Sequence, residues 1–598
     1  MKRVHFRCII SAMLLAAAGG FPPDAMPHPS NQKKLSSDER KSSLTGRVLD
    51  ESGQPIPYAR LSTTAVNQPL DRYRNTRSDE YGRFSFDDLK LGSYKIDVYA
   101  GGYYLDGSDQ PSTYYRPGDA VTVRMVKGGV ITGVVTNSGA EPVLAVAVTA
   151  VCLRGLEGHP ARRTRFPNQR TTDDRGVYRL YGLPPGVYIL MAGAGSDGAV
   201  PAYRDDAPTY HPSANRYGAA EVTVQAGQEL SGIDIRYRAE RGHTVSGSVS
   251  APEPKNGYAI VRIDLFDSRT GSLAAETYSY ARPGSRSFAL HGVPDGDYFL
   301  RGWRGANQGD SGVCSPATVV KVKGSDVTGL AIALITTSSI AGSVELQPLT
   351  DGERKSRCES NRKLSVEESL VFAHRDDKEN KKPVLASLEE SVGAPGEKGD
   401  FKIGDIDAGL YRIEARLPGE QWFVRSMTIP ASAKGKPPID AAREGLAIRP
   451  DQHVTDLTIT LAEGAATLQG RIVPERQGAN LPKRIRVHLI PVEKENADQV
   501  LCFFEASAQA DGTFEVTNVQ PGRYWILALA SEDDESIDDR TRPRAWDAAA
   551  RSKLRSAGET ANNAIEFQPC QRTTDQVLRL ATSVSLSPNQ NRSERRDK

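Results

Sequence analysis

DDRGVYRLYGLPPGVYIL, residues Asp173–Leu190, reads as two short β-strands joined by a Pro-Pro-Gly turn, and variants of it occur five times in the chain. The copies align on an opening aromatic: Phe84, Tyr178, Phe288, Phe401 and Phe514. Two residues on stand Phe86, Leu180, Leu290, Ile403 and Val516; five residues on stand Leu89, Leu183, Val293, Ile406 and Val519. Eight residues on every copy has glycine: Gly92, Gly186, Gly296, Gly409 and Gly522. Ten residues on every copy has tyrosine: Tyr94, Tyr188, Tyr298, Tyr411 and Tyr524. Twelve residues on come Ile96, Leu190, Leu300, Ile413 and Ile526.

Strand side chains alternate between faces, so offsets zero and two share one face. Offset five breaks that parity, which reads as a strand end with an aliphatic closing the core. The glycine suits a turn that needs φ > 0. Offsets ten and twelve restart the alternation, with Lys95 and Asp97, or Arg412 and Glu414, on the other face. That pattern marks a sheet with one wet face. Upstream, LTGRVLD, ITGVVTN, VSGSVSA, IAGSVEL and LQGRIVP place Gly46, Gly133, Gly247, Gly342 and Gly470 in an opening strand. Downstream, segments such as VTVRMV and TTDQVLRLA read as closing strands. Each unit of about 90–125 residues holds six to eight strand candidates and no convincing helix, the size of a β-sandwich. The expected fold is all-β: five tandem antiparallel sandwiches at 44–126, 129–237, 244–335, 339–462 and 465–581.

These residues carry a family resemblance. DESGQPIPYARLS, DEYGRFSFDDLKLGSYKIDVYAGGY and DDRGVYRLYGLPPGVYIL are similar to carboxypeptidase regulatory-like domains. The resemblance implies a seven-stranded transthyretin-like (prealbumin-like) sandwich, grouped with carbohydrate-binding-like and Cna B-type folds. It is close in copies one and two and good in five, while copies three and four differ in the loop before the phrase. Copy four is stretched by the charged insertion at 351–382. The resemblance extends over Leu44 to Ala581 and implies an exported bacterial multi-repeat protein, with carbohydrate as the ligand class.

Composition agrees. Of 598 residues 38% are hydrophobic and 25% charged, with 54 Gly and 37 Pro throughout, as in turn-rich β structure. The net charge of +2 provides no global field for nucleic acid or an anionic membrane. The basic run ARRTRFPNQR (161–170) reads as a solvated loop. At the N-terminus Lys2, Arg3 and Arg7 precede the apolar CIISAMLLAAAGG, which reads as a secretory signal peptide over 1–25. Cys8 precedes the apolar run and does not fit lipid attachment. Residues 26–43 read as a polar linker and 582–598 as a disordered tail. Once the signal is removed no transmembrane segment is expected.

Catalytic patterns fail on their chemistry. None of the nine His has a Glu at zinc-carboxypeptidase spacing, so no metal site and no cofactor is expected. GDSG (309–312) lacks a matched His and Asp. GAGSDG (193–198) is followed by Pro201 rather than a helix, so it is not a dinucleotide loop. SEDDESIDD (531–539) lacks calcium-loop spacing, and His211 reads as a loop residue. Of the six Cys, membership of one repeat pairs Cys502 with Cys570. Cys314 and Cys358 flank a repeat boundary and form the second expected pair, and Cys152 reads as a strand thiol.

Aromatic clusters remain. Tyr103, Tyr104, Tyr114 and Tyr115 follow the Gly-x-Tyr strand of copy one, and Tyr203, Tyr210 and Tyr217 follow that of copy two. Such loops suit stacking on sugar rings, which makes Tyr103, Tyr104, Tyr114, Tyr115, Tyr203 and Tyr210 the candidate ligand-binding residues. The competing reading makes them plugs over the sandwich ends. Phe299, Trp303 and Trp525 fall on the outer parity and suit either docking of neighbouring repeats or ligand binding. The sequence therefore points to an exported, non-enzymatic binding, adhesion or scaffold protein whose partners are polysaccharide or envelope proteins. The alternatives are a structural spacer and an accessory subunit of a secreted hydrolase.

Overall fold

The computed structural model describes residues 43–580 except 67–72, 106–113, 157–167, 194–202, 253–258, 270, 282–285, 306–311, 351–357, 359–364, 377–390, 432–435, 475–479, 483 and 531–541. The signal peptide, the linker up to residue 42, the tail and SEDDESIDD fall outside the described residues, as do most of GAGSDG, GDSG and the copy-four insertion. The basic run at 161–170 is described only where it ends, in the edge strand Asn168–Thr171.

Every repeat is a two-sheet sandwich, seen most simply in repeat five. There Thr513–Val519, Ala466–Val473 and Arg572–Arg579 form a three-stranded sheet. Phe504–Ser507, Ile485–Pro491, Gly522–Ala530 and Ala564–Phe567 form the four-stranded one. The same order recurs in the other repeats, with added edge strands after the Gly-x-Tyr strand. The opening strand pairs antiparallel with the first strand of the phrase and parallel with the closing strand in all five. One parallel pair thus enters each otherwise antiparallel sandwich. It joins the first and last strands of a unit, whose connection is long enough for a parallel pairing.

The parallel pair explains the opening glycine. A Cβ at Gly46, Gly247, Gly342 or Gly470 would lie 1.8–2.2 Å from a carbonyl oxygen of the closing strand, and one at Gly133 would lie 2.1 Å from Ile233 O, just before that strand's last segment. Directly across from each stands the aromatic that opens the phrase: Phe84, Tyr178, Phe288, Phe401 or Phe514. The ring fills the space over the residue that cannot carry a side chain. Gly342→Ala, whose Cβ would be 1.8 Å from Leu457 O, should destabilise repeat four by about 2–3 kcal/mol in denaturant unfolding. Gly53→Ala meets nothing within 4 Å and should cost only about 1 kcal/mol, for its φ of +82°.

The two strands of the phrase lie in opposite sheets, so the phrase carries the chain across the core. At the crossing the tyrosine hydroxyl donates to the carbonyl four residues earlier. The distances are 2.9 Å for Tyr94 to Lys90, 2.7 Å for Tyr188 to Pro184 and 2.8 Å for Tyr298 to Pro294. They are 3.0 Å for Tyr411 to Asp407 and 2.9 Å for Tyr524 to Gln520. Each bond satisfies a turn carbonyl that the core would otherwise strand. That accounts for tyrosine rather than phenylalanine at offset ten. The aliphatic and aromatic positions of the phrase all face the core, none more than 7% exposed.

Two details depart from the sequence reading. The offset-eight glycine has positive φ only at Gly92 (139°) and Gly522 (153°). At Gly186 and Gly296 the constraint is space: a Cβ would meet Arg154 O at 2.8 Å or the Tyr298 hydroxyl at 3.0 Å. Nor does the first strand end before offset five in repeats two to five. It runs on through a β-bulge. The bulge places offset four at positive φ: Gly182 (73°), Gly292 (66°), Asp405 (57°) and Asn518 (59°), matched by Asp88 (55°) in repeat one. The extra residue turns offset five back toward the core.

One helix was not expected. Ala548–Ala561 starts at Asp547, whose side chain accepts from Ala549 N and Ala550 N. It covers the outer face of the repeat-five sheet, where Trp525, Ile490, Leu527, Leu529 and Leu554 form a second small core. Trp525 is therefore covered by its own repeat and not by a neighbour.

Candidate functional site

The joints between repeats share one construction. A backbone N–H of each linker donates to the segment after the Gly-x-Tyr strand of the preceding repeat. Gly128 reaches Gly102 O at 2.8 Å, Gly242 reaches Asp205 O at 2.9 Å, Thr337 reaches Gly312 O at 3.0 Å and Gly464 reaches Gln421 O at 2.8 Å. The bulge residue of the following repeat packs on the same segment. At the first two joints it is a glycine, where a Cβ would stand 3.3 Å from Tyr103 O (Gly182) or 2.5 Å from Asp206 O (Gly292). At the last two it bonds outward: Asp405 Oδ1 accepts from Thr337 Oγ1 at 3.0 Å, and Asn518 Nδ2 donates to Gly419 O (3.0 Å) and Trp422 O (2.8 Å).

Tyr103, Tyr104, Tyr114 and Tyr210 sit at these and other junctions, and no single surface gathers the six candidates. Tyr103 and Tyr104 lie on the edge strand Tyr103–Leu105 at the joint of repeats one and two. Tyr203 packs on Tyr237 (centroids 5.8 Å apart) and donates to Leu144 O at 2.8 Å. Tyr115 is half-buried against the repeat-one core. Tyr114 and Tyr210 are each 4% exposed. Tyr114 lies on the Phe372 ring of repeat four (5.8 Å) beneath Arg416. Tyr210 is held next to Tyr298 of repeat three, where Arg216 reaches Asp267 (3.5 Å) and Ser272 Oγ (2.5 Å). Burial of both rings leaves no face for a sugar, so the expectation of stacking is corrected for these two. They plug junctions.

Repeat four is contacted from two sides. Repeat one adds Ser93 Oγ donating to Glu368 O (3.2 Å), and Arg116 donating to Pro418 O. Repeat five adds Arg542 on Asp376 (2.8 and 3.0 Å) and Trp546 on His374 (5.9 Å). A disulfide joins Cys358 to Cys570 across 212 residues. Both sequence-based pairings, Cys502 with Cys570 and Cys314 with Cys358, are therefore corrected. Cys502 is buried beneath its own repeat at Val500–Cys502, while Cys570 sits in the turn before the closing strand, facing repeat four. Cys314 is half-buried and accepts from Arg301 Nε at 2.8 Å. Burial raises the Cys502 thiol to about 11, which makes it unreactive.

Among the described residues no group of three or more His, Cys, Asp or Glu could hold a metal, and no helix is long and apolar enough to cross a membrane. His211 Nδ1 meets Asp234 O at 2.6 Å in a loop. An open cleft of about 460 Å³ lies on repeat three at its border with repeat two, lined by Arg204, Ser246, Thr277, Tyr278 and Ser287. Its size is that of a small-ligand site and its hydroxyl-rich lining suits polar groups.

Residues 43–125 match the family model of the carboxypeptidase regulatory-like domain. That match spans repeat one. The other four repeats share its strand order, its glycine–aromatic pair and its tyrosine bond. No curated protein matches the chain. Among solved structures it is similar to the minor pilin of Streptococcus agalactiae, at 13% identity over 33% of this chain and 95% of that one, with a TM-score of 0.19. It is also similar to a streptococcal ancillary pilin (12% identity, 49% and 98% covered, TM-score 0.15). A third is the major pilin subunit of Bacillus cereus (9% identity, 49% and 99% covered, TM-score 0.13).

The fifth repeat also buries a titratable cluster. His488 is 3% exposed, with Glu505 Oε2 at 3.6 Å from its Nδ1. Burial, then Arg486 and Arg544, hold the imidazole down to about 3. Unfolding restores the ordinary value near 6.5, so the unfolded chain takes up a proton that the fold refuses. Stability from this group is full above pH about 6.5 and falls as pH drops toward 3. Glu505, raised by burial against the pull of Arg486, acts in the opposite sense, losing stability as pH rises. Comparing wild type with His488→Gln isolates the histidine: between pH 6.5 and 4 the wild type should lose a few kcal/mol more stability than the variant.

Proposed function

We propose that the chain is an exported, non-enzymatic scaffold or adhesion module whose five regulatory-like repeats are locked into one frame. The observation that carries the reading is the joint repeated at all four boundaries, in which each linker N–H is bonded to the preceding repeat. A string of independent binding modules needs flexible linkers, and these linkers are stapled. The contacts of repeat four with repeats one and five, and the disulfide, support the same reading.

Carbohydrate is the proposed ligand class, held in the polar cleft of repeat three around Tyr278. The structural spacer is the second reading, favoured by the burial of Tyr114 and Tyr210. Two measurements on protein from the native host test the proposal. N-terminal sequencing should find the first 18 or more residues removed from protein outside the cytoplasm; intact Met1 on cytoplasmic protein would refute export. Pull-down on insoluble glycans and peptidoglycan should retain the mature chain and lose it on Tyr278→Ala. Absence of wild-type retention would leave the spacer.

A further inference from the structure

Two junctions of this frame set two arginines against one carboxylate. Between repeats four and five the set is closed. Asp376 receives Arg542 Nε (2.8 Å), Arg542 Nη2 (3.0 Å) and Arg412 Nε (3.0 Å). The other Arg412 nitrogens reach Arg443 O (2.8 Å) and Trp546 O (3.5 Å).

Between repeats one and four the corresponding set, Arg116, Arg416 and Asp119, is open. Arg116 Nη1 donates to Pro418 O. Its buried Nε stands 3.7 Å from the Asp119 carboxylate, beyond hydrogen-bond reach, and has no other acceptor among the described residues. Asp119 Oδ2 is already engaged by the Arg116 backbone N–H at 2.8 Å. Arg416 lies 6.0 Å from the centroid of the Tyr114 ring, and among the described residues its guanidinium meets no hydrogen-bond acceptor. Burial, with Arg116 adding to it, holds Arg416 below the usual arginine range; Asp119, Tyr114 and Tyr115 pull the other way. Two guanidiniums, one with an unmet Nε donor, face one carboxylate at a half-buried junction, so among the described residues the set carries one positive charge in excess. Partial burial makes that excess costly. A guanidinium forks onto planar or tetrahedral oxyanions.

We propose that Arg116 and Arg416 form an oxyanion site between repeats one and four, which takes the acidic group of an anionic ligand. Bound there, the anion bridges the two repeats and closes the frame. The site is separate from the carbohydrate cleft of repeat three, so either can fail without the other.

The test titrates the mature chain with sodium glucuronate, inorganic phosphate and, as an uncharged control, methyl glucoside, read by calorimetry and by melting temperature. Glucuronate or phosphate should bind saturably and raise the melting temperature, while methyl glucoside should do neither. Preference for glucuronate assigns the anion to an acidic sugar, and preference for phosphate assigns it to a phosphoryl group. Arg416→Gln should weaken binding by about tenfold or more, and Arg542→Gln, in the closed set, should leave it unchanged. Without anion, Arg416→Gln should melt at the wild-type temperature or higher, because it removes one of two like charges. A lower melting temperature would make Arg416 a structural residue and overturn the proposal. So would a wild type that binds neither anion, or an Arg116→Gln/Arg416→Gln double variant that binds them equally well.

Discussion

Non-reducing peptide mapping of the oxidised protein should return Cys358 joined to Cys570, with Cys152, Cys314 and Cys502 as thiols. The bond closes a loop of 212 residues that contains most of repeats four and five. Chain-entropy reasoning gives such a loop about 5 kcal/mol of stabilisation. Cys358→Ser should therefore lower the stability of repeats four and five by up to about that amount and leave repeats one to three unchanged. The same loss should follow reduction of the wild type. Recovery of a Cys502–Cys570 peptide instead would contradict the arrangement of repeats four and five. The bond needs an oxidising compartment to persist, so its presence in native protein also bears on export.

Tyr114→Ala and Tyr210→Ala are expected to be the most damaging changes among the six candidate tyrosines. Each ring is 4% exposed and lies between two repeats, outside the core clusters of its own sandwich. Removal of a fully buried ring costs about 3–5 kcal/mol. The loss should appear as separation of repeats one and four, or of two and three, and not as unfolding of one sandwich. Differential scanning calorimetry of the two variants would show the change. Unaltered melting of both would return these tyrosines to the role of solvent-facing stacking platforms.

The fold was legible because its determinants are local. The opening glycine and the aromatic are fixed by one parallel strand crossing, and the tyrosine by one turn carbonyl, so each recurs at constant spacing. The bulge was missed although its residues were in view. Asp88, Gly182, Gly292, Asp405 and Asn518 differ in identity and share only tolerance of positive φ. The helix also left a signal, in the Asp547 cap and the alanine-rich run after it. Its sparse apolar residues made that signal weak beside so many strands. The disulfide and the partners of the plugging tyrosines could not be read in this way. Cys358 and Cys570, or Tyr114 and Phe372, meet only when repeats far apart in the chain dock, and repeat membership says nothing of docking. The Arg116–Arg416 pair depends on the same long-range geometry.

The central claim is that five sandwiches form one frame, with repeat one resting on repeat four. Small-angle X-ray scattering of the oxidised mature chain tests it most directly. The account predicts a profile fitted by the single arrangement described above, with the repeat one–four contact closed. A profile that requires an ensemble of extended arrangements, with a maximum dimension approaching five sandwiches end to end, would contradict it.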